Sequence, residues 1–372
     1  MSSLRILSLT EAGELAPWAE MCSSADLFCT PPWLAVEQSG SGPWVPAASA
    51  CLVAEDHLQL LAGVTLQQFD RTVDDDTCRV DKMLRALPCA DGMSDAVLAG
   101  ALLPSLMCGG WFNSTVLSSP RASEAAVTEA RRELIARAVA TGRDWGSASV
   151  FFPYVDAADA ALRTDLRAAG FLELSAPARH VFDCDYPSHE AYLAALPSRR
   201  RVRIRKELRQ FDDAGAVTGQ ALLDDSNVEQ IATLAHTLER KYGQASTLEE
   251  LTGWFSAIAK NTRTRVFTAA LGGQEFAMSL WLHHENRMYG FHAGFDYDIG
   301  RGLPMYSVVG YHLPIAYGCS ASDTTVLEYG ISADEAKLLR GTEAMPQVLC
   351  LKPLSEQSKT VVEGLAIQSL PT

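Results

Sequence analysis

Between Val228 and Tyr329 the spacing of apolar residues switches from a helical period to strict alternation and back, and few folds accommodate that order. Val228, Ile231, Ala235, Leu238 and Tyr242 recur every three or four positions, the stripe of an amphipathic helix. Thr247 and Glu250 form the T-x-x-E signature of a capping box, after which Leu248, Leu251, Phe255 and Ile258 repeat the helical spacing. The period then becomes two. Val266–Leu271, a Gly272-Gly273 turn, Phe276–His283, a Glu285-Asn286 turn and Arg287–Gly294 predict a three-stranded antiparallel meander. Pro304 opens another helix, with Met305, Val308, His312 and Ile315 on one face up to Gly318, and Val326–Tyr329 is the next strand. Upstream, Ser188 caps a helix to Ala195, and Pro197-Ser198 start one that runs through Phe211 and stops at Gly215.

The first half reads as mixed α/β. Thr10 is a candidate cap for a short helix from Glu11, the paired prolines of PPWLAVEQ (31–38) open another, and Ala48–Ala54 and Leu58–Leu66 alternate like two strands of a meander. Ser123 caps a helix to about Thr141, Ala148–Phe152 is a strand, and Asp159–Ala169 is a helix stopped by Gly170. Phe171–Leu174 and His180–Asp183 are two further strands. The segment from Arg71 to Leu117 shows no readable period.

Composition sets the outer limits. A chain of 372 residues, 48% hydrophobic and 20% charged, folds and is long enough for two domains. The formal charge of -14 excludes a surface that grips nucleic acid throughout, so any polyanion site is local. Residues 1–190 hold 13 Lys+Arg against 25 Asp+Glu; residues 191–372 hold 18 against 20. Basic charge therefore gathers late. The nine cysteines are odd in number and never spaced C-x-x-C, which predicts buried free thiols in a reducing compartment. The N-terminus lacks a signal-peptide pattern and Val97–Cys108 is too short to span a membrane, so a cytoplasmic location is expected. No metal-ligand or Walker-type motif is present, and no metal and no nucleotide hydrolysis are expected.

The sharpest local signal is a run of arginines. Arg199, Arg200, Arg201, Arg203, Arg205, Lys206 and Arg209 place seven cations and one acid, Glu207, in eleven positions. On a helix the pairs Arg199/Arg203, Arg201/Arg205 and Arg205/Arg209 are like charges at i,i+4 and together cost about 1 kcal/mol. Ile204, Leu208 and Phe211 anchor such a helix and leave arginines for phosphates. A solvated helix face or salt bridges to the acidic first half is the competing reading.

Other candidates are less specific. In GFDYDIGRGLPMY (294–306), Gly300 and Gly302 precede a helix start, where free backbone N–H groups suit a pyrophosphate; an ordinary glycine-rich turn is the alternative. His292 and Tyr289 stand three apart in a predicted strand and should face opposite ways, so one of them lines a given cleft. His292 is the candidate base for deprotonating an amine, and a buried, hydrogen-bonded histidine is the competing reading.

The order of elements, with a glycine-bearing loop between the last meander strand and its helix, resembles the GNAT acyltransfer fold. Residues 186–341 resemble the FemAB-like group through YLAALPSRRRVRIRKELRQFDDAG, LERKYG, YGFHAGFDYD and EYGISADEAKLLRG. Over 1–185 the likeness rests on the mixed α/β order and AALRTDLRAAGFLE. The implied fold is α/β (α+β), with two tandem GNAT-like domains, each a mixed, largely antiparallel sheet flanked by helices. Expected boundaries are 1–185 for the first domain, 186–355 for the second and 356–372 for a tail. The GNAT loop resembles (Q/R)-x-x-G-x-G, whereas Tyr297 stands here in the first position.

The resemblance implies N-acyl transfer. It assigns Lys337 to the donor carbonyl, where an ammonium stabilises the developing oxyanion, with Arg340 three positions on. Complementing the end of a short helix is the alternative for both. Tyr242, Tyr306 and Tyr329 occupy family positions that orient substrate or pack. With Arg199, Arg203, Arg205 and Tyr289 these form the expected substrate-binding set. The expected donor is aminoacyl-tRNA, bound by its acceptor end, and the acceptor a small-molecule amine, either a secondary metabolite or a cell-wall precursor. No tightly bound cofactor, no DNA and no membrane are expected. An acyl thioester of CoA or a carrier protein is the alternative donor, and a non-catalytic RNA- or partner-binding module the alternative function.

Overall fold

The computed structural model describes residues 3–22, 27–57, 59–244 and 246–368. The chain divides into two compact units. The first takes the chain as far as Gly40, then Trp44–Pro177, and resumes at Pro346; the second comprises Ser41–Pro43 and Ala178–Met345. The strands are β1 (Ser3–Leu7), β2 (Ala48–Asp56), β3 (Gln59–Phe69), β4 (Ser105–Cys108), β5 (Leu117–Ser118), β6 (Ser149–Asp156) and β7 (Leu172–Asp183). They continue as β8 (Val217–Leu222), β9 (Arg263–Leu271), β10 (Gln274–His284), β11 (Arg287–Phe295), β12 (Val326–Gly330) and β13 (Glu343–Pro353).

In the first unit β1, β2, β3 and β4 are antiparallel neighbours, β4 pairs parallel with β6, and β6 antiparallel with β13. Alternation along the strands gives the sheet two cores. Leu106, Val150 and Phe152 meet the helix Glu124–Asp144 through its Ala130, Leu134, Ile135 and Ala138. Met107, Phe151 and Leu351 face the other way, against Leu98 and Leu102 of the helix Asp95–Leu102 and Val361 and Leu365 of the helix Glu356–Gln368. Each fully buried leucine contributes about 1.5–3 kcal/mol, which explains why this last helix packs rather than trailing as the expected tail. Ser123 caps its helix as expected, whereas the first helix is Leu9–Glu14, capped by Ser8 in a capping box with Glu11, in place of Thr10. Leu58 lies outside the described residues; its strand begins at Gln59. The unreadable segment 71–117 holds two short α-helices, Val80–Arg85 and Asp95–Leu102, a 3-10 turn at Pro88–Ala90, and strands too brief to show a period.

In the second unit β7, β12, β11, β10, β9 and β8 follow in that order. β11 and β12 run parallel; the other neighbours are antiparallel. The meander and the Thr247–Glu250 capping box form as read. Phe171–Leu174 and His180–Asp183 are one strand, β7, and β8 is an edge strand exposed along its length, without the alternation that betrays a half-buried strand. One sheet face packs Phe267, Ala269 and Trp281 against Ile204 and Phe211 of the arginine-rich helix Ser198–Asp213 and Val308, Val309 and Ile315 of the segment after Pro304. That segment is not one regular helix: Met305–Ser307 and Leu313–Gly318 are α-helical, and Val308–His312 between them is π-helical. All nine cysteines are buried and none forms a disulfide.

Candidate functional site

The site begins where a ladder ends. The parallel pairing of β11 with β12 covers Arg287/Val326, Met288/Leu327 and Tyr289/Glu328. On the other side of β11, Trp281 of β10 pairs with Gly290 and Leu280 with His292, leaving Phe291 as an extra residue in a β-bulge. The bulge falls on the residues just past the last parallel rung. An open cavity of about 210 Å³ occupies the gap between the separating strands. Gly290, Phe291, His292 and Ala293 of β11 border one side, and Tyr329, Ile331, Ser332 and Lys337 the other. Trp281, Tyr306 and Tyr311 add aromatic walls.

The bulge reverses one expectation. Tyr289 pairs with Leu282 and His292 with Leu280, and residues two apart on β10 share a face. Tyr289 and His292 therefore lie on the same face, not on opposite ones, because the inserted residue shifts the alternation. Tyr289 is fully buried there and does not border the cavity. The His292 ring turns to Glu239, with Nε2 donating to Oε1 at 2.9 Å, and its Nδ1 accepts the Ala293 N–H at 3.0 Å. Both ring nitrogens are thus occupied. Glu239 comes from the helix Val228–Lys241, which reaches β11 because Gly294 has no side chain: a Cβ there would lie 2.4 Å from the carbonyl carbon of Leu234. Burial opposes ionisation of Glu239, but His292, Ser246 and His236 together outweigh it and hold the carboxyl below its ordinary range.

Lys337 is 4% exposed. Its ammonium donates to the carbonyls of Gly330 at 2.9 Å and Ile331 at 2.5 Å. Gly330, Ser332 and Ala333 all take left-handed backbone conformations, and this tight loop folds the two carbonyls round the ammonium. Burial lowers the Lys337 pKa to about 8, with Asp334 opposing the shift. A lysine needs three acceptors, and the backbone supplies two.

Arg340 lies over the Tyr311 ring at 4.3 Å and donates to Ser307 Oγ at 2.7 Å, so it braces the cavity wall without bordering the cavity. Tyr306 borders it and shares a 2.8 Å hydrogen bond with Tyr311. The π-helical stretch leaves the Val309 carbonyl to accept from Ser279 Oγ at 2.7 Å, which ties this wall to β10. Tyr329 stacks on Tyr311 at 4.9 Å, and its buried hydroxyl has no hydrogen-bond partner among the described residues.

The arginine-rich helix lies against the Lys337 segment. Arg200 donates to the carbonyl of Leu338 at 3.3 Å. Arg199, Arg203 and Arg205 are exposed, Arg203 pairing with Glu207 at 3.1 Å and Arg205 with Glu190 at 2.8 Å. Glu207 also accepts from His312 at 3.1 Å, fixing the helix to the π-helical stretch. None of these arginines borders the cavity.

Tyr242, Gly300 and Gly302, also expected contributors, stand elsewhere. Tyr242 is 67% exposed and outside the cavity lining. Gly300 was expected to offer a free N–H, but that group donates to the Asp296 carbonyl at 3.0 Å, closing the turn. A Cβ on Gly300 would meet Met305 Sδ at 2.2 Å, so this glycine serves packing; Gly302, at φ +80°, has open space round it. Glu239, Ser279, Trp281 and Tyr311 went unread, since nothing local marks a residue that meets the site from another element. Among the described residues no cluster of three or more His, Cys, Asp or Glu could hold a metal ion. No helix among them is long and apolar enough to cross a membrane.

The FemAB-like family, described as acting in peptidoglycan biosynthesis/recognition, matches residues 114–363. No curated protein matches the sequence. Among solved structures, FemX is 10% identical with a TM-score of 0.62, over 97% of this chain and 99% of that one. A tandem GNAT protein from the clavulanic acid biosynthesis pathway, solved without AcCoA, is 12% identical with a TM-score of 0.54, over 94% and 98%. The C-terminal domain of a putative lysylphosphatidylglycerol synthetase from Agrobacterium fabrum is 11% identical with a TM-score of 0.54, over 97% and 96%. At these identities the likeness is one of fold: two GNAT-like units in tandem.

Proposed function

We propose that this chain, which belongs to the FemAB-like family of acyltransferases, forms an amide by moving an aminoacyl group from aminoacyl-tRNA to a small-molecule amine. The observation that carries this reading is the contact between the arginine-rich helix and the Lys337 segment, the Arg200 hydrogen bond to Leu338. Exposed guanidinium groups suited to phosphates and a buried ammonium suited to an ester carbonyl belong to neighbouring elements of one unit.

The chemistry asks little of the protein beyond placement. The amine lone pair attacks the ester carbonyl carbon, a C–N bond forms, and charge develops on the carbonyl oxygen. Lys337 is held by two backbone carbonyls and has one N–H left for that oxygen, worth a few kcal/mol in the transition state. Collapse breaks the C–O bond and expels the ribose oxygen, which takes up a proton equivalent to the one lost by the amine. Aromatic walls beside the reacting carbonyl would slow its hydrolysis by water once the donor fills the open cavity. A cell-wall precursor suits the family description, and a free amine from secondary metabolism is equally compatible with the site.

An acyl thioester is the second reading, favoured by the fold shared with the tandem GNAT protein. Radiolabelled aminoacyl transfer that ribonuclease abolishes is the expected result; transfer that survives ribonuclease and needs only a CoA thioester overturns the tRNA donor. Unchanged product formation by Lys337→Ala, alongside lost RNA binding by Arg203→Glu, would leave a binding module in place of an enzyme.

A further inference from the structure

In the first unit, beneath the end of the helix Pro31–Gln38, three buried oxygen atoms lack hydrogen-bond partners among the described residues: Oε2 of Glu37, Oγ1 of Thr65 and Oε1 of Gln67. Thr65 and Gln67 are two apart on β3, so they share the face that also carries Cys51 and Ser49 of β2. Burial pushes the Glu37 carboxyl up to about 7, against the opposing contacts of Trp33, Trp111 and the Gln67 side chain, and Cys51, paired with Thr65, lies close enough to feel its charge. Thr65 is 4% and Gln67 2% exposed. The other Glu37 oxygen, Oε1, takes the indole N–H groups of Trp33 at 2.7 Å and Trp111 at 3.2 Å.

This carboxyl is therefore clamped through one oxygen and open at the other. Two indoles donate to it and the Gln67 side chain lies alongside, and none of these groups is cationic. The surround is aromatic: Trp44 lies 5.6 Å from Trp111, Phe69 meets Trp111 edge-on, and Phe28 meets Trp33 edge-on. Trp44 and Trp111 are partly exposed, so the group is not sealed from solvent. Leaving a buried acceptor unmet costs about 1–3 kcal/mol, and here three gather on neighbouring side chains.

We propose that this constellation is a binding site for an organic primary ammonium ion, R–NH3+, with Glu37 as its counter-ion and Thr65 and Gln67 as further acceptors. A primary ammonium carries three N–H donors for three unmet oxygens, and its charge suits the indole faces. A quaternary ion would satisfy the rings but none of the oxygens. An ammonium held this way has no lone pair, so the group bound here anchors a ligand and is not the nucleophile of an acyl transfer. The inference stands apart from the function proposed above, because its test reads binding alone.

The test uses the full-length protein with its tryptophan indoles labelled with 15N, titrated at constant ionic strength with n-butylammonium chloride, n-butyltrimethylammonium chloride or KCl. The indole signals of Trp33 and Trp111 should shift saturably with the primary amine. They should respond at least about tenfold more weakly to the trimethyl ion and in Glu37→Gln, as loss of a charged partner requires. Undisturbed Trp145 and Trp281 signals in that variant show that it folds. Three results overturn the proposal: no saturable shift with the amine, an equal response to the trimethyl ion or to potassium, or unchanged affinity in Glu37→Gln. Signals that move with pH alone also overturn it, since one proton shared between Glu37 Oε2 and Gln67 Oε1 then satisfies both.

Discussion

Tyr289 and Glu328 form the last rung of the parallel β11–β12 ladder, and the cavity that carries Lys337 opens immediately beyond them. Where the parallel pair stops, the two strands part, and on the β12 side the carbonyls of Gly330 and Ile331 turn to the Lys337 ammonium. The bulge at Phe291 helps by turning β11 there.

The Lys337 pKa near 8 predicts the pH dependence of catalysis. Oxyanion stabilisation needs the ammonium, which is lost as pH rises through about 8. The alkaline limb of kcat/KM should therefore fall with an apparent pKa near 8. Lys337→Arg, charged at every accessible pH, should lose the limb while keeping part of the activity. A limb that persists in Lys337→Arg assigns it to another group.

The same lysine predicts a stability change of definite sign. Folded Lys337 titrates near 8 and the unfolded residue near 10.5. Between those values the unfolded chain binds more protons, so this contribution to stability rises with pH from about 8 to about 10.5; below 8 the buried cation costs at most roughly 3 kcal/mol. Urea denaturation of the wild type and Lys337→Met at pH 7 and pH 10 isolates the term. The wild type should gain on the variant as pH rises, and a constant difference would remove the shift.

Arg199, Arg203 and Arg205 are exposed on one helix, and each that contacts a phosphate contributes to salt dependence. Replacing one with alanine should weaken binding of an aminoacyl-tRNA acceptor stem and flatten the slope of log Kd against log salt by about 0.7–0.9 per lost contact. Titrations from low to moderate salt give the slope directly. A slope unchanged in all three variants takes this helix out of the donor site.

Gly294 is the contact that lets Glu239 reach His292. Gly294→Ala should push the Val228–Lys241 helix away from β11, costing about 1–3 kcal/mol by overpacking. If the Glu239–His292 pair positions the cavity edge, kcat should fall in Gly294→Ala and in Glu239→Gln alike, with KM for the tRNA donor kept. Lost stability with kcat intact in both would make the pair purely structural.

Much of the second unit was legible in its residues. Helical stripes at Val228–Tyr242 and after Thr247, the alternation through the meander and the arginine run all depend on neighbours within a few positions, where periodicity and capping operate. The first unit was harder, because short helices such as Val80–Arg85 are placed by the core they enter and carry too few turns for a period to emerge.

Chain chemistry by itself determined that Lys337 and a cluster of arginines exist on separate elements of an α/β unit. Only the tertiary structure decided that those elements touch through Arg200 and Leu338, that a bulge turns His292 toward Glu239, and that the Gly300 amide is spent on its own turn. The reason is physical. Periods and caps come from interactions a few residues long, whereas bulges, strand separation and buried pairs are set by which distant segment packs alongside, and that is settled only when the whole core forms.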